Sequence, residues 1–298
     1  MVTVSAPPDQ RPILVRGLSR SGGTLLVTIL DSHPEVAMSY ELYPDLLELE
    51  DGRSGGLARV IASLCPERGE RFADNVENAR FATFLKRLPR GGLGPDDVVE
   101  VLEAHVADDL GVGTATDRIR LMERCALWKA DRDGKPRWGL KCLATYDDYL
   151  DVFPHACFVN VIRDGRDVLA STLLEMKRSR EVVQVANGWV STHRRFRELA
   201  AREGVVAHEV VYEDLVRDPE STIRALCSVV GLPFRTELLR HSSQPHSVYG
   251  ASHLSMERIR QPIDSSSIGR WRRDLKPEQL DEFMVIAGDM METLGYDR

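Results

Sequence analysis

Cysteine is scarce and scattered. Cys65, Cys125, Cys142, Cys157 and Cys227 are the only five in 298 residues, odd in number and with no C-x2-C pair. Such a set argues against a disulfide framework or a zinc site and suits reduced thiols in a cytoplasm. Long apolar runs are missing too, since nothing approaches the roughly 20 residues that a membrane-spanning helix needs. The first eleven residues, with Pro7, Pro8 and Asp9 and no apolar core, read as a flexible tail rather than a signal peptide. Positive charge is in deficit: the net charge of −7 gives no reason to expect a nucleic-acid partner. There is no internal repeat and no low-complexity tract, and no motif bears on oligomeric state. With 43% hydrophobic and 29% charged residues, positions 12–298 suffice for one large α/β domain with an ordinary core. A soluble cytoplasmic protein is expected.

Strand-like apolar runs recur at Pro12–Leu18, Arg137–Lys141, His155–Arg163 and Val205–Tyr212. Helix-like periodicity lies between and after them, at Thr24–Ser32, Thr145–Val152, Val168–Arg178, Val185–Ala201, Pro219–Val230 and Pro277–Leu294. This alternation predicts a mostly parallel central sheet flanked by helices. Residues 52–130 differ, being helical in period (Pro95–Leu110) and broken by Gly55-Gly56 and Gly91-Gly92. They read as a helical insertion beside the sheet. Tyr43–Glu50 reads as a further helix, and the polar stretch Ser242–Ser267 as a functional or disordered loop.

The densest signal is Gly17-Leu18-Ser19-Arg20-Ser21-Gly22-Gly23-Thr24-Leu25, between the first strand and the first helix. Strand, glycine-bearing loop and helix form the arrangement in which backbone N–H groups and a helix N-terminus hold a phosphate. Gly17 and Gly22 have the spacing of G-x4-G-K-[ST], and Thr24 supplies the last hydroxyl. The lysine is absent: Gly23 stands in its place and the cation comes earlier, as Arg20. That argues against a nucleoside-triphosphate enzyme. No G-x-G-x-x-G follows the first strand, which excludes a dinucleotide dehydrogenase. A second motif, Arg163-Asp164-Gly165-Arg166-Asp167-Val168-Leu169-Ala170-Ser171, starts at a strand end. Ligands of parallel sheets lie beyond such ends. Arg163 and Ser171 there can hold one phosphate, or the segment can be a salt-bridged surface turn.

Together the two segments resemble the 5′-phosphosulfate loop and the 3′-phosphate motif of the sulfotransferases that use 3′-phosphoadenosine 5′-phosphosulfate (PAPS). Further matches follow in the family's order. His33-Pro34 followed by Glu41, Trp138-Gly139-Leu140-Lys141 and Tyr212-Glu213-Asp214-Leu215 resemble the bacterial and tyrosylprotein branch. Ser267-Ile268-Gly269-Arg270-Trp271 resembles its C-terminal Gly-Arg-Trp segment.

The resemblance implies a PAPS-dependent, metal-free transfer of a sulfuryl group to a hydroxyl, or less readily an amine; a small-molecule acceptor is the expectation for a cytoplasmic enzyme, and the tyrosylprotein likeness leaves a peptide tyrosine open. In that reading Ser19, Arg20, Ser21, Gly22, Gly23, Thr24 and Leu25 hold the 5′-phosphosulfate. Arg163, Ser171, Ser255 and Arg270 hold the 3′-phosphate, and Tyr212 the adenine. Arg20 and Lys141 act on the transferring group, and Glu41 is the general base. Leu143 stands where animal cytosolic members carry a catalytic histidine, which raises Glu41 in its place. His33 and His105 read as packing residues. A phosphate-loop kinase and a nucleotide-binding module without catalysis are the alternatives; the first needs a lysine at position 23.

Overall fold

Ile13–Gly17 (β1) is the middle strand of a five-stranded, all-parallel sheet of order β2-β3-β1-β4-β5. The computed structural model describes residues 11–40, 42, 44–142, 146–175, 181–243 and 259–297. The other strands are β2 (Val36–Ser39), β3 (Arg137–Lys141), β4 (Cys157–Ile162) and β5 (Val206–Val211). Strands β1, β2 and β4 are largely apolar because both faces of the sheet are covered.

One face buries α1 (Gly23–Asp31), α9 (Tyr212–Arg217) and α10 (Pro219–Val230) against Ile13, Val15, Met38 and Val159. The other packs Leu14, Ala37, Leu140 and Phe158 against a large cluster. That cluster is built from α2 (Ser54–Ala62), α3 (Ala79–Leu85), α4 (Pro95–Ala107) and α5 (Ala115–Arg132), with α6 (Tyr146–Val152) and α8 (Val182–Ala200). A third cluster joins α7 (Gly165–Glu175) and α8 to α12 (Pro277–Thr293) through Val168, Trp189 and Phe283. The four-residue α11 (Trp271–Asp274) precedes that last helix.

Helix α5 starts with a reciprocal cap, Thr114 and Asp117 each bonding the other's backbone N–H. Near its other end it is pinned by charge. Lys129, fully buried, donates to Asp31 at 2.7 Å and to Asp133 at 2.7 Å, while Asp31 also accepts from the Met38 N–H at 2.8 Å. A buried ammonium with two carboxylates meets the condition under which burial of charge is tolerated. The helix expected over Tyr43–Glu50 does not form: its described part holds one 3-10 turn, Pro44–Leu46. Leu42 and Leu47 on either side are buried, so tertiary packing overrides the local preference.

His193 shows how polar groups are handled under the sheet. It is fully buried and lies against Asn160, whose Nδ2 is 3.2 Å from its Nδ1, while Asn160 Oδ1 accepts from Tyr146 at 3.1 Å. Burial, with the Arg197 charge second, pushes the imidazole down to about 4. Its folded pKa lies below the unfolded value near 6.5. Its contribution is therefore full above that value and is lost as pH falls toward about 4. His33, His105 and His208 are shifted in the same direction by burial. At about 1.4 kcal/mol per pH unit, His193 alone accounts for up to roughly 3 kcal/mol. Denaturant titrations between pH 7 and 4 should show a flatter acid limb for His193→Gln than for the natural chain; an equally steep limb would place the proton uptake elsewhere.

Candidate functional site

The strand order sends the chain away from β1 in both directions, to β3 on one side and β4 on the other, so the loop after β1 sits in the crevice between their carboxyl ends. Residues 18–22 form that loop, and the Ser21 N–H donates to the Leu18 carbonyl at 3.0 Å. Two residues have left-handed backbones, Arg20 (φ 76°) and Gly22 (φ 96°). At Gly22 a Cβ would come within 2.4 Å of Tyr212 Cδ2, so that position excludes side chains on both conformation and space. Arg20 is held in an unfavourable conformation for an ordinary residue by bonds at both ends. Its Nε donates to Ser171 Oγ at 2.9 Å, and its carbonyl accepts from Arg163 Nη1 at 3.0 Å.

Gly23 explains the missing lysine. The nearest atoms to a Cβ built there would be Lys141 Cε at 3.3 Å and Lys141 Nζ at 4.0 Å. The cation that a nucleoside-triphosphate loop carries on its own chain comes here from the end of β3. Lys141 is 7% exposed, donates to Thr24 Oγ1 at 3.1 Å, and lies 4.8 Å from the ring centre of Tyr40. Tyr40 is fully buried, with its hydroxyl 2.9 Å from the same Thr24 oxygen.

On the β4 side, Arg163 is 5% exposed. Its Nη2 donates to the Ser267 carbonyl at 2.7 Å, and its guanidinium lies 4.6 Å from the Tyr212 ring centre. Tyr212 is thus packed between Arg163 and Gly22. Asp167, fully buried, accepts from the Gly269 N–H at 2.8 Å and the Trp271 N–H at 3.0 Å, which moors the segment before α11 beside the loop. Burial raises its pKa despite those bonds and the Arg163 charge. Behind Arg163, the Asp164 N–H donates to Glu213 Oε1 at 3.0 Å, and Glu213 Oε2 accepts from the Tyr296 hydroxyl at 2.9 Å. Burial raises Glu213 as well.

The fold thus brings Arg20, Ser21, Gly22, Gly23, Thr24, Lys141, Arg163, Ser171 and Tyr212 to one crevice. Ser171 faces Arg20 there, where the spacing suggested a shared phosphate with Arg163. Ser19 is exposed on the loop's outer turn and Leu25 is half-buried in the first turn of α1. Arg270 pairs with Asp274 at 2.8 Å. Glu41 and Ser255 lie outside the described residues. His33 is a packing residue, its Nε2 2.8 Å from the Pro233 carbonyl and its Nδ1 accepting from the Glu35 N–H. Tyr40, Asp167 and Tyr296 are additions. Period-two alternation from Val36 and Met38 puts Tyr40 on the α1 face, a signal that the sequence does contain. Nothing local marks the other two.

Two buried polar atoms in this crevice, Ser21 Oγ and Arg163 Nε, have no partner among the described residues. With the turned backbone of residues 20–23 and the two cations, they form a donor set suited to an anionic ligand. Residues 12–236 match the family model described as Sulfotransferase family. The chain belongs to that family. It is a sulfotransferase whose co-substrate is PAPS. Among curated relatives, zebrafish (Danio rerio) protein-tyrosine sulfotransferase 1 is 25% identical over 305 residues, spanning 97% of this chain and 73% of the relative. Among solved structures, the sulfotransferase domain of the Synechococcus PCC 7002 olefin synthase superposes with TM-score 0.66 at 20% identity, covering 98% of both chains. The sulfotransferase domain from the curacin biosynthetic pathway gives TM-score 0.59 at 18% identity, over 97% of this chain and 98% of the other. Both likenesses are of fold. Ser267, Gly269, Trp271 and Tyr296 lie beyond the family match yet bond to the crevice.

Gly22→Ala should therefore cost this sulfotransferase its nucleotide before its fold. Calorimetric affinity for 3′-phosphoadenosine 5′-phosphate (PAP) should drop about 5- to 150-fold, since a strained αL residue and a Tyr212 collision cost about 1–3 kcal/mol. Unchanged affinity would mean that the loop is not the nucleotide's seat.

Proposed function

We propose that this enzyme transfers the sulfuryl group of PAPS to a hydroxyl of a small-molecule acceptor by direct in-line displacement. The observation that carries the reading is the placement of Lys141 and Arg20 at the two sides of one phosphate-type loop, next to Arg163. The sulfur–oxygen bond to the donor phosphate breaks as the bond from sulfur to the acceptor oxygen forms. Glu41 takes the acceptor's proton, and the electron pair of the broken bond leaves with PAP. Arg20 offsets the charge that grows on the bridging oxygen of the departing phosphate, and Lys141 acts on the transferring sulfuryl group, where fixed cations act most strongly. Loop N–H groups, Ser21 and Thr24 bind the 5′-phosphate; Arg163, through its remaining Nε–H, binds the 3′-phosphate with Arg270 beside it. The Tyr212 ring is taken up by Arg163 and Gly22, so its hydroxyl is what it offers the adenine.

A compact acceptor is favoured by the packing that follows Tyr40, where Leu42, Leu47 and Leu88 are all buried. Helices α2–α5 would form the acceptor side as part of the same domain. The second reading is a peptide tyrosine, favoured by the full-length likeness to protein-tyrosine sulfotransferases. Five free cysteines support a cytoplasmic location. No helix among the described residues is long and apolar enough to cross a membrane.

Titration with PAP, against ATP with magnesium as the control, tests the donor reading. Tight binding of PAP alone is expected; binding of ATP and silence toward PAP would revive a kinase. Arg163→Ala should weaken PAP by about 10- to 100-fold and adenosine 5′-phosphate hardly at all; equal weakening would remove Arg163 from the 3′-phosphate. Glu41→Gln should lower turnover by at least about 100-fold with PAP affinity unchanged, and a loss of affinity instead would make it structural. PAPS consumption with phenols, alcohols and tyrosine peptides side by side separates the two acceptor classes.

A further inference from the structure

Tyr40 belongs to none of the motifs, yet both of the groups closest to the transferring end of the loop touch it. The Lys141 ammonium lies 4.8 Å from its ring centre, and its hydroxyl is 2.9 Å from Thr24 Oγ1. Thr24 Oγ1 is also the acceptor of the Lys141 bond, at 3.1 Å. The three side chains close a triangle, anchored on three separate elements: the end of β2, the first turn of α1 and the end of β3.

A threonine hydroxyl has two acceptor sites and one hydrogen. Lys141, which can only donate, takes one acceptor site. If Tyr40 donates as well, both are used, and the Thr24 hydrogen must be given in another direction. If Thr24 instead donates to Tyr40, the oxygen turns a lone pair toward the crevice. An anion in the loop decides between the two, because it repels a lone pair and accepts a hydrogen. Tyr40 is fully buried, so its own hydroxyl cannot trade this bond for bulk water. The ring does a second job. A four-carbon lysine stem carries much rotamer freedom, and an aromatic face under the ammonium holds it by cation–π attraction.

We propose that Tyr40 is a positioning residue of the transfer site. Its hydroxyl sets Thr24 to donate toward the 5′-phosphate, and its ring seats the Lys141 ammonium against the sulfuryl group. This rests on the donor reading given above and goes beyond it by separating what acts on the phosphate from what acts on the sulfuryl group.

The two parts are separable by substitution. Tyr40→Phe keeps the ring and removes the hydroxyl; Tyr40→Leu removes both. PAP carries the 5′-phosphate without the sulfuryl group, and PAPS carries both, so calorimetric affinities for the pair report each part. Tyr40→Phe should weaken PAP and PAPS alike, by about 2- to 10-fold. Tyr40→Leu should weaken PAPS about tenfold beyond its effect on PAP, and the phenylalanine variant should restore that ratio. A parallel loss in Tyr40→Leu, as from general loosening, overturns the ring's role. Affinities within twofold of the natural chain in Tyr40→Phe overturn the hydroxyl's role, and that variant decides alone should Tyr40→Leu not fold. If the natural chain binds neither nucleotide, the donor reading falls and takes this inference with it.

Discussion

The crevice depends on β1 being hydrogen-bonded on both sides. Val15 is in register with Lys141 of β3 on one side and Val159 of β4 on the other. Because side chains alternate along a strand, that double register is what puts Lys141 on the α1 face at the level of Thr24. It also brings Arg163, one residue past β4, level with the loop. A slip of one residue in β3 would turn Lys141 to the opposite face. The loop's own geometry needs the same support, since the left-handed Arg20 is held by Ser171 and Arg163, both supplied by the β4–α7 segment.

Much of this was legible in the chain. Alternating strands and helices gave the parallel sheet, β3 and α10 begin and end where periodicity put them, and the loop was marked by Gly17 and Gly22. What escaped has a common physical form. Asp167 bonds to N–H groups about one hundred residues further on, and Glu213 to a tyrosine near the last residue. Neither partner is implied by local spacing. Tyr43–Glu50 failed for the opposite reason, since its local helical pattern lost to the burial of Leu42 and Leu47.

The displaced cation separates this loop from a nucleoside-triphosphate loop more sharply than the motif alone. A lysine at position 23 would run into Lys141, whose Cε already lies 3.3 Å from the place of the first side-chain carbon. The glycine and the strand-end lysine are therefore one feature read at two places. Carrying the charge on β3 also couples it to Tyr40 and Thr24, which a loop lysine at position 23 would not require.

The mooring of residues 267–271 has a bearing on how the chain comes off the ribosome. Loop, β1, β3 and β4 all lie within the first 162 residues. Arg163 gains the Ser267 carbonyl, and Asp167 the Gly269 and Trp271 N–H groups, only when a hundred more residues have been added. Until then Asp167 is a carboxylate without those two donors, beside an arginine with one carbonyl fewer. Whatever has been synthesised before them, the anion crevice lacks three of its mooring bonds until residues 267–271 have been added.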